Sequence, residues 1–162
     1  MNQATASLLI EAVDPRHPTA LALLAEAARE ARTLYPELFA PDAPAPTNPP
    51  ALVRGIYLLA TREGKALGCG ALRAHDAFTG EVQRMFVTRS ARRDGIARML
   101  LARLEHEARE HGYRQLVLET GARQEPAIAL YRSCGWRRIA PYPPYVGDSM
   151  SVCMGKGLAS RG

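Results

Sequence analysis

From Gly95 onward the apolar residues recur with the period of an α-helix: Ala97, Leu100, Leu101, Leu104 and Ala108 share one face, and the pattern stops at His111 and Gly112. Arg103, Glu107 and Glu110 lie off that face. Strand-like runs flank the helix, Glu81–Val87 (EVQRMFV) before it and Gln115–Glu119 (QLVLE) after it. A helix with one apolar face must lay that face on a sheet. The two runs are therefore expected to be parallel strands joined by a right-handed crossover.

Upstream, Ile56–Thr61, Ala66–Arg73 and Glu81–Val87 are separated by Glu63-Gly64 and by Thr79-Gly80, which predicts an antiparallel meander. Gly68 and Gly70 weaken the middle strand and predict a bulge or a close backbone approach there. A first strand over residues 7–13 precedes a helix over Thr19–Leu34, in which Leu21, Leu24, Ala25 and Ala28 share an apolar face. Downstream come a short helix over Pro126–Ser133, stopped by Gly135, and strands at Trp136–Ile139 and Ser151–Met154. The sum is an α+β fold with a mixed central sheet of about six or seven strands flanked by helices. Pro36–Pro50 holds six prolines and reads as an irregular surface loop. It is not a linker, because the 35 residues before it could not bury a core alone, so 1–162 is expected to be one domain.

A hydrophobic share of 47% against 23% charged residues is the balance of a globular chain. No apolar run approaches the ~18 residues of a membrane span, and the N-terminal MNQATASLLIEAVDPR lacks a basic start and a cleavage site. A cytoplasmic location away from membranes is expected. Cys69, Cys134 and Cys153 are odd in number and far apart, without C-x-x-C pairs, so neither a disulfide framework nor a metal site is expected. His17, His75, His106 and His111 match no ligand spacing or triad.

The net charge of +5 is concentrated in Arg84, Arg89, Arg92, Arg93 and Arg98, which asks for an anionic partner. Nucleic acid is one reading, but the stretch offers only Phe86 for stacking and no companion helix, so no nucleic-acid partner is expected. A phosphorylated cofactor is the more economical one. In Val87–Leu101 (VTRSARRDGIARMLL) a strand gives way to a basic loop and then to a helix beginning at Gly95, where unpaired amides and the positive end of the dipole meet an anion.

The run Arg92-Arg93-Asp94-Gly95-Ile96-Ala97 resembles the Arg/Gln-x-x-Gly-x-Gly/Ala signature of the GNAT superfamily of N-acetyltransferases. A second run, from Gln124 to Trp136 (QEPAIALYRSCGW), is similar to its Asn-x-x-Ala-x-x-Leu-Tyr-x-x-x-Gly-Phe segment, with Gln124 and Trp136 in place of Asn and Phe. The resemblance spans roughly residues 56–156 and points to a bacterial subgroup of GNAT fold. It implies acetyl-CoA as the donor. Arg92, Arg93, Asp94, Gly95, Ile96, Ala97 and Arg98 would hold the diphosphate, and the main chain of Met85, Phe86 and Val87 would pair with pantetheine. Gln124 stands where the family's Asn touches the cofactor.

Roles follow in the same terms. An amine that attacks a thioester must expel a thiolate, and Tyr131, at the family's proton-donor position, can protonate it. Glu81 is similar in position to the base glutamate of the histone-acetyltransferase branch. Glu119 and water are its competitors. A main-chain N–H of Phe86 or Val87 would steady the oxyanion. Tyr35, Phe39, Glu119, Tyr142 and Tyr145 are candidate lining for the acceptor, a primary amine of a small molecule or peptide. The expected activity is direct transfer in a ternary complex, since no Cys or Ser stands in a nucleophile motif. A CoA-binding module without turnover and a nucleic-acid-binding protein are the alternatives, and the family habit admits a homodimer.

Overall fold

The computed structural model of the chain describes residues 7–159. Residues 1–6 and 160–162, the ends of the expected domain, and with them the start of the stretch read as lacking a leader, lie outside the described residues. Strand β1 (Leu9–Ala12) is shorter than the expected 7–13 and leads into helix α1 (Pro18–Leu34). His17 caps that helix, its Nδ1 accepting from the Thr19 amide at 3.1 Å, and Pro18 takes the first helical position, where a missing N–H is harmless. The buried residues of α1 are Ala20, Leu23 and Leu24, a stripe that shares only Leu24 with the expected one. The stripe is set by tertiary contact: Ala20 and Leu23 pack on Tyr57, Leu59, Cys69 and Ala71 of the sheet.

The meander forms as expected, with β2 (Ile56–Arg62), β3 (Lys65–Ala74) and β4 (Thr79–Val87) paired antiparallel. Glu63 and Gly64 take φ of 52° and 75°, the two positive angles of a tight hairpin turn. The next turn differs from the expectation. Thr79 and Gly80 already belong to β4, and the turn is made by Asp76, whose Oδ1 accepts from the amides of Phe78 and Thr79. Glu81 is therefore the third residue of its strand rather than the head. Gly80 is small for a packing reason, since a Cβ there would stand 2.8–3.1 Å from Leu72, Leu116 and Tyr113.

Gly68 and Gly70 behave as the sequence suggests. Pairing runs Cys69↔Phe86 and then Ala71↔Gln83, so that Arg84 and Met85 together oppose Gly70 in a bulge. A Cβ at Gly70 would come within 2.7 Å of Met85 Sδ and 3.0 Å of Leu104 Cδ1, and one at Gly68 within 2.9 Å of the Phe86 carbonyl. Helix α2 (Ile96–Glu110) presses on these glycines with Leu100, Leu101 and Leu104, all fully buried. Each such side chain contributes roughly 1.5–3 kcal/mol on leaving water.

Strand β5 (Gln115–Gly121) pairs parallel with β4, as the crossover requires. Helix α3 (Glu125–Ser133) follows, then β6 (Arg137–Arg138) and β7 (Ser151–Gly157), giving a seven-stranded mixed sheet in the order β1-β2-β3-β4-β5-β7-β6. β6 keeps only two of the four expected residues, because the Trp136 amide closes the end of α3 on the Tyr131 carbonyl. One charge sits unexpectedly on the buried stripe of α2: Glu105, 7% exposed, pairs with Lys156 of β7 at 2.6 Å.

Candidate active site

β4 and β5 are bonded to each other only where Thr79–Glu81 faces Gln115–Val117. The bulge explains why they part beyond that point. Arg84 sits at φ 60°, a left-handed angle that costs a non-glycine residue about 1–3 kcal/mol, and the bend takes the rest of β4 away from its neighbour. A cleft of about 180 Å³ opens between the strands, lined by Gln83, Met85, Glu119, Gln124 and Tyr131. Four residues singled out in the sequence, Met85, Glu119, Gln124 and Tyr131, thus meet in one place.

The basic loop after β4 is shaped by two more left-handed residues, Arg93 at φ 69° and Gly95 at φ 79°. Ile96, Ala97 and Arg98 open α2 with amides that have no intrahelical acceptor, and no side chain caps them. Nothing lies within 4 Å of where a Gly95 Cβ would be, so the main chain is open to an anion. The arginines divide their work. Arg92 turns inward, Nε donating to the Val87 carbonyl at 3.0 Å and the guanidinium pairing with Glu30 of α1. Arg98 reaches across to α3, donating to Ser133 Oγ at 2.9 Å. Asp94 stands 4.0 Å from Arg62.

Tyr131 is 6% exposed, its ring tilted against Trp136 at 5.9 Å. Burial, helped by the neighbouring Cys134, pushes its hydroxyl up to about 12, so it stays protonated at any ordinary pH. Glu119 is half-buried, and burial first, then the charges of Asp148 and Glu81, raise its carboxyl above the usual carboxylate range. Glu81 has a different setting. It is 2% exposed, its Oε1 accepts from Arg73 and Gln83 at 2.9 Å, and its Oε2 accepts from the Tyr142 hydroxyl at 2.7 Å. Tyr142 in turn meets Tyr145 edge-on at 5.4 Å. Burial and the Glu81 carboxylate raise the Tyr142 hydroxyl far above its ordinary value.

A second cavity of about 390 Å³ lies between α1, the proline-rich loop and the sheet, and Arg84 and Gln124 line both spaces. Phe39 and Phe86 face it. Tyr35 lines neither space: its hydroxyl accepts from the Arg123 amide at 2.8 Å, with the Arg123 guanidinium over its ring. Tyr57, Cys69, Arg32 and Arg84 were not predicted for the site, and only the left-handed backbone of Arg84 exposes why. No glycine marks that bulge in β4.

A sheet parted beside an amide-rich helix start is the architecture of the acyl-CoA N-acyltransferases. A solved Klebsiella pneumoniae protein described as an acyl-CoA N-acyltransferase superposes with a TM-score of 0.78 at 31% identity, over 94% of this chain and 98% of that one. An aminoglycoside 6'-N-acetyltransferase complexed with coenzyme A shares the fold at a TM-score of 0.69 and 19% identity, over 95% and 99% of the two chains. Among curated relatives, an IAA acetyltransferase of Azospirillum brasilense is 46% identical over 63% of this chain and 67% of its own length. The uncharacterized N-acetyltransferase YsnE of Bacillus subtilis (strain 168) is 42% identical over 59% and 66%. The aligned stretch thus spans about two thirds of these relatives. The model of the acetyltransferase (GNAT) family matches residues 21–136, and the chain belongs to that family.

The open backbone at Gly95 carries a direct test. Gly95→Glu should weaken acetyl-CoA binding at least about ten-fold, because it sets a negative charge at the positive end of α2. It also forces a left-handed angle, at a cost of about 1–2 kcal/mol of stability. Gly95→Asn, a residue that tolerates this angle, should bind acetyl-CoA nearly as wild type does. Unchanged affinity in the Glu variant, by titration calorimetry, would place the diphosphate elsewhere.

Proposed function

We propose that this chain is a single-domain enzyme that moves the acetyl group of acetyl-CoA to a primary amine of a small molecule or peptide, by direct attack within a ternary complex. The observation that supports this reading is the cleft between β4 and β5, whose lining includes both Tyr131 and Glu119. The amides at the start of α2, with Arg93 and Arg98, would hold the diphosphate, and β4 from Met85 to Val87 the pantetheine arm. Acetyl-CoA brings an activated thioester; the chain supplies position and protons.

Glu119 is the proposed base, in contact with the amine or through water. A carboxylate raised above its ordinary value is a better proton acceptor than an ordinary one. Glu81, with its oxygens engaged by Arg73, Gln83 and Tyr142, is given a positioning role. The ammonium passes one proton to Glu119, the amine adds to the thioester carbonyl to form the C–N bond, and as the tetrahedral intermediate collapses the C–S bond breaks and Tyr131 protonates the departing sulfur. The second proton of the amine then restores Tyr131, so the sum is ammonium plus acetyl-CoA giving amide, CoA thiol and one proton. The Phe86 or Val87 amide is the proposed oxyanion donor.

Binding is the first thing to measure. At a hundred-fold excess over its dissociation constant acetyl-CoA should add ~2.7 kcal/mol to stability, a rise in Tm of roughly 5–10 °C for a domain of this size. No shift at millimolar acetyl-CoA would remove this reading.

A further inference from the structure

Two buried donors in the larger cavity have no protein partner. Tyr57 is 2% exposed and lines the cavity, yet its hydroxyl is unpaired among the described residues, and so is the buried Nε of Arg32, another lining residue, whose Nη2 donates to the Ala43 carbonyl at 3.1 Å. Asn48 and Cys69 lie beside the hydroxyl, but neither makes a hydrogen bond of ordinary geometry with it. Asn48 Nδ2 donates to the Pro15 carbonyl at 2.7 Å and Cys69 Sγ to the Arg84 carbonyl at 3.1 Å. Buried groups in native proteins are nearly always satisfied, so orphans on residues that line a cavity point to a ligand.

Both orphans call for the same thing. Burial pushes the Tyr57 hydroxyl up to about 12, so it is a standing donor, and a guanidinium can only donate. Arg84 adds a second cation on the wall, its Nε held by Asn48 Oδ1 at 3.0 Å. Glu26, whose Oε2 is likewise buried without a hydrogen-bond partner among the described residues, is not part of the lining. The rest is apolar: Ala27, Ala28 and Ala31 of α1 stand opposite Phe86, with Phe39 and Pro44 from the loop. At about 390 Å³ the space is of small-molecule size.

We infer that this cavity seats the body of the acetyl acceptor, and that the acceptor is a small apolar amine bearing a carboxylate, of which an α-amino acid with an apolar side chain is the simplest form. The inference rests on the acetyl-transfer reading above. The apolar portion lies against the alanine and phenyl walls, and the carboxylate takes the Tyr57 hydroxyl and the Arg32 and Arg84 guanidiniums. The amine then points past Gln124, which borders both spaces, to the cleft holding Glu119 and Tyr131. Polyamines and aminoglycosides are disfavoured, because a second ammonium would face two arginines.

Matched pairs test this. The CoA-loaded protein is titrated with phenylalanine and 2-phenylethylamine, with leucine and 3-methylbutylamine, and with spermidine, and thiol release from acetyl-CoA is followed with the same set. At least one amino acid should exceed its decarboxylated partner about ten-fold in affinity and in kcat/KM, the share of a charge-assisted hydrogen bond. Tyr57→Phe should collapse most of that ratio while acetyl-CoA affinity holds; Arg32→Gln is the second variant, for use if the first folds poorly. Equal use of acid and amine, or preference for spermidine, by protein that still binds acetyl-CoA would overturn the acceptor class alone. Failure to bind acetyl-CoA would overturn both readings.

Discussion

Replacing Tyr131 with Phe should lower the rate of acetyl transfer by roughly 10- to 1000-fold while acetyl-CoA affinity stays within about three-fold, the signature of a lost general acid. The ring remains against Trp136 and in the wall of the cleft, so packing survives; only the hydroxyl goes. The structure adds a condition to the pH profile. With its hydroxyl pushed up to about 12, Tyr131 loses its proton only in strong alkali. A fall in wild-type rate at moderately alkaline pH must then come from another group and should persist in the Phe variant. Wild-type turnover in that variant, measured in single-turnover experiments where chemistry limits, would leave water as the donor.

Glu119→Gln should cost roughly 10²- to 10⁴-fold in kcat/KM near neutral pH, the range for losing a general base. The loss should shrink as pH rises, because the amine then deprotonates without help. The wild-type enzyme should show an acid limb above the ordinary carboxylate value of about 4.3, since burial and Asp148 both resist ionisation, and the Gln variant should lack it. Activity should therefore be switched on as pH rises through the elevated Glu119 value. Glu81→Gln, by contrast, should show a loss that does not depend on pH. If Glu81→Gln is the variant rescued by alkali and Glu119→Gln is not, the two roles exchange.

The elements most visible in the sequence were those whose pattern is local. The α2 period, the Glu63-Gly64 hairpin and the crowding at Gly68 and Gly70 each follow from a few adjacent residues, and each stands in the structure. The features that escaped depend on residues far apart in the chain. Tyr35 looked like cleft lining, but it meets Arg123, 88 positions away. The partner of buried Glu105 is Lys156, 51 positions on in β7. Glu81 and Glu119 could not be ranked from sequence, because their difference lies in the partners that Arg73, Gln83 and Tyr142 give to one and not the other. The bulge was announced by Gly68 and Gly70 of the opposite strand, but not which residues of β4 would form it, since the left-handed angle there is taken by Arg84 rather than by a glycine.

The start of α2 and the walls of the larger cavity are made of different material. What α2 offers an anion is peptide amides, which every residue but proline carries, so most substitutions there leave the offer standing. The cavity is shaped by side chains: three alanines on one turn and a half of α1, a loop rich in proline, and two arginines. Enlarging Ala28 or shortening Arg32 redraws that space without touching an amide of α2. On the proposed assignment of donor and acceptor to these two places, the donor end of such a protein is stiff under mutational drift and the acceptor end plastic, so that a lineage can change what it acetylates while continuing to draw on the same acetyl supply.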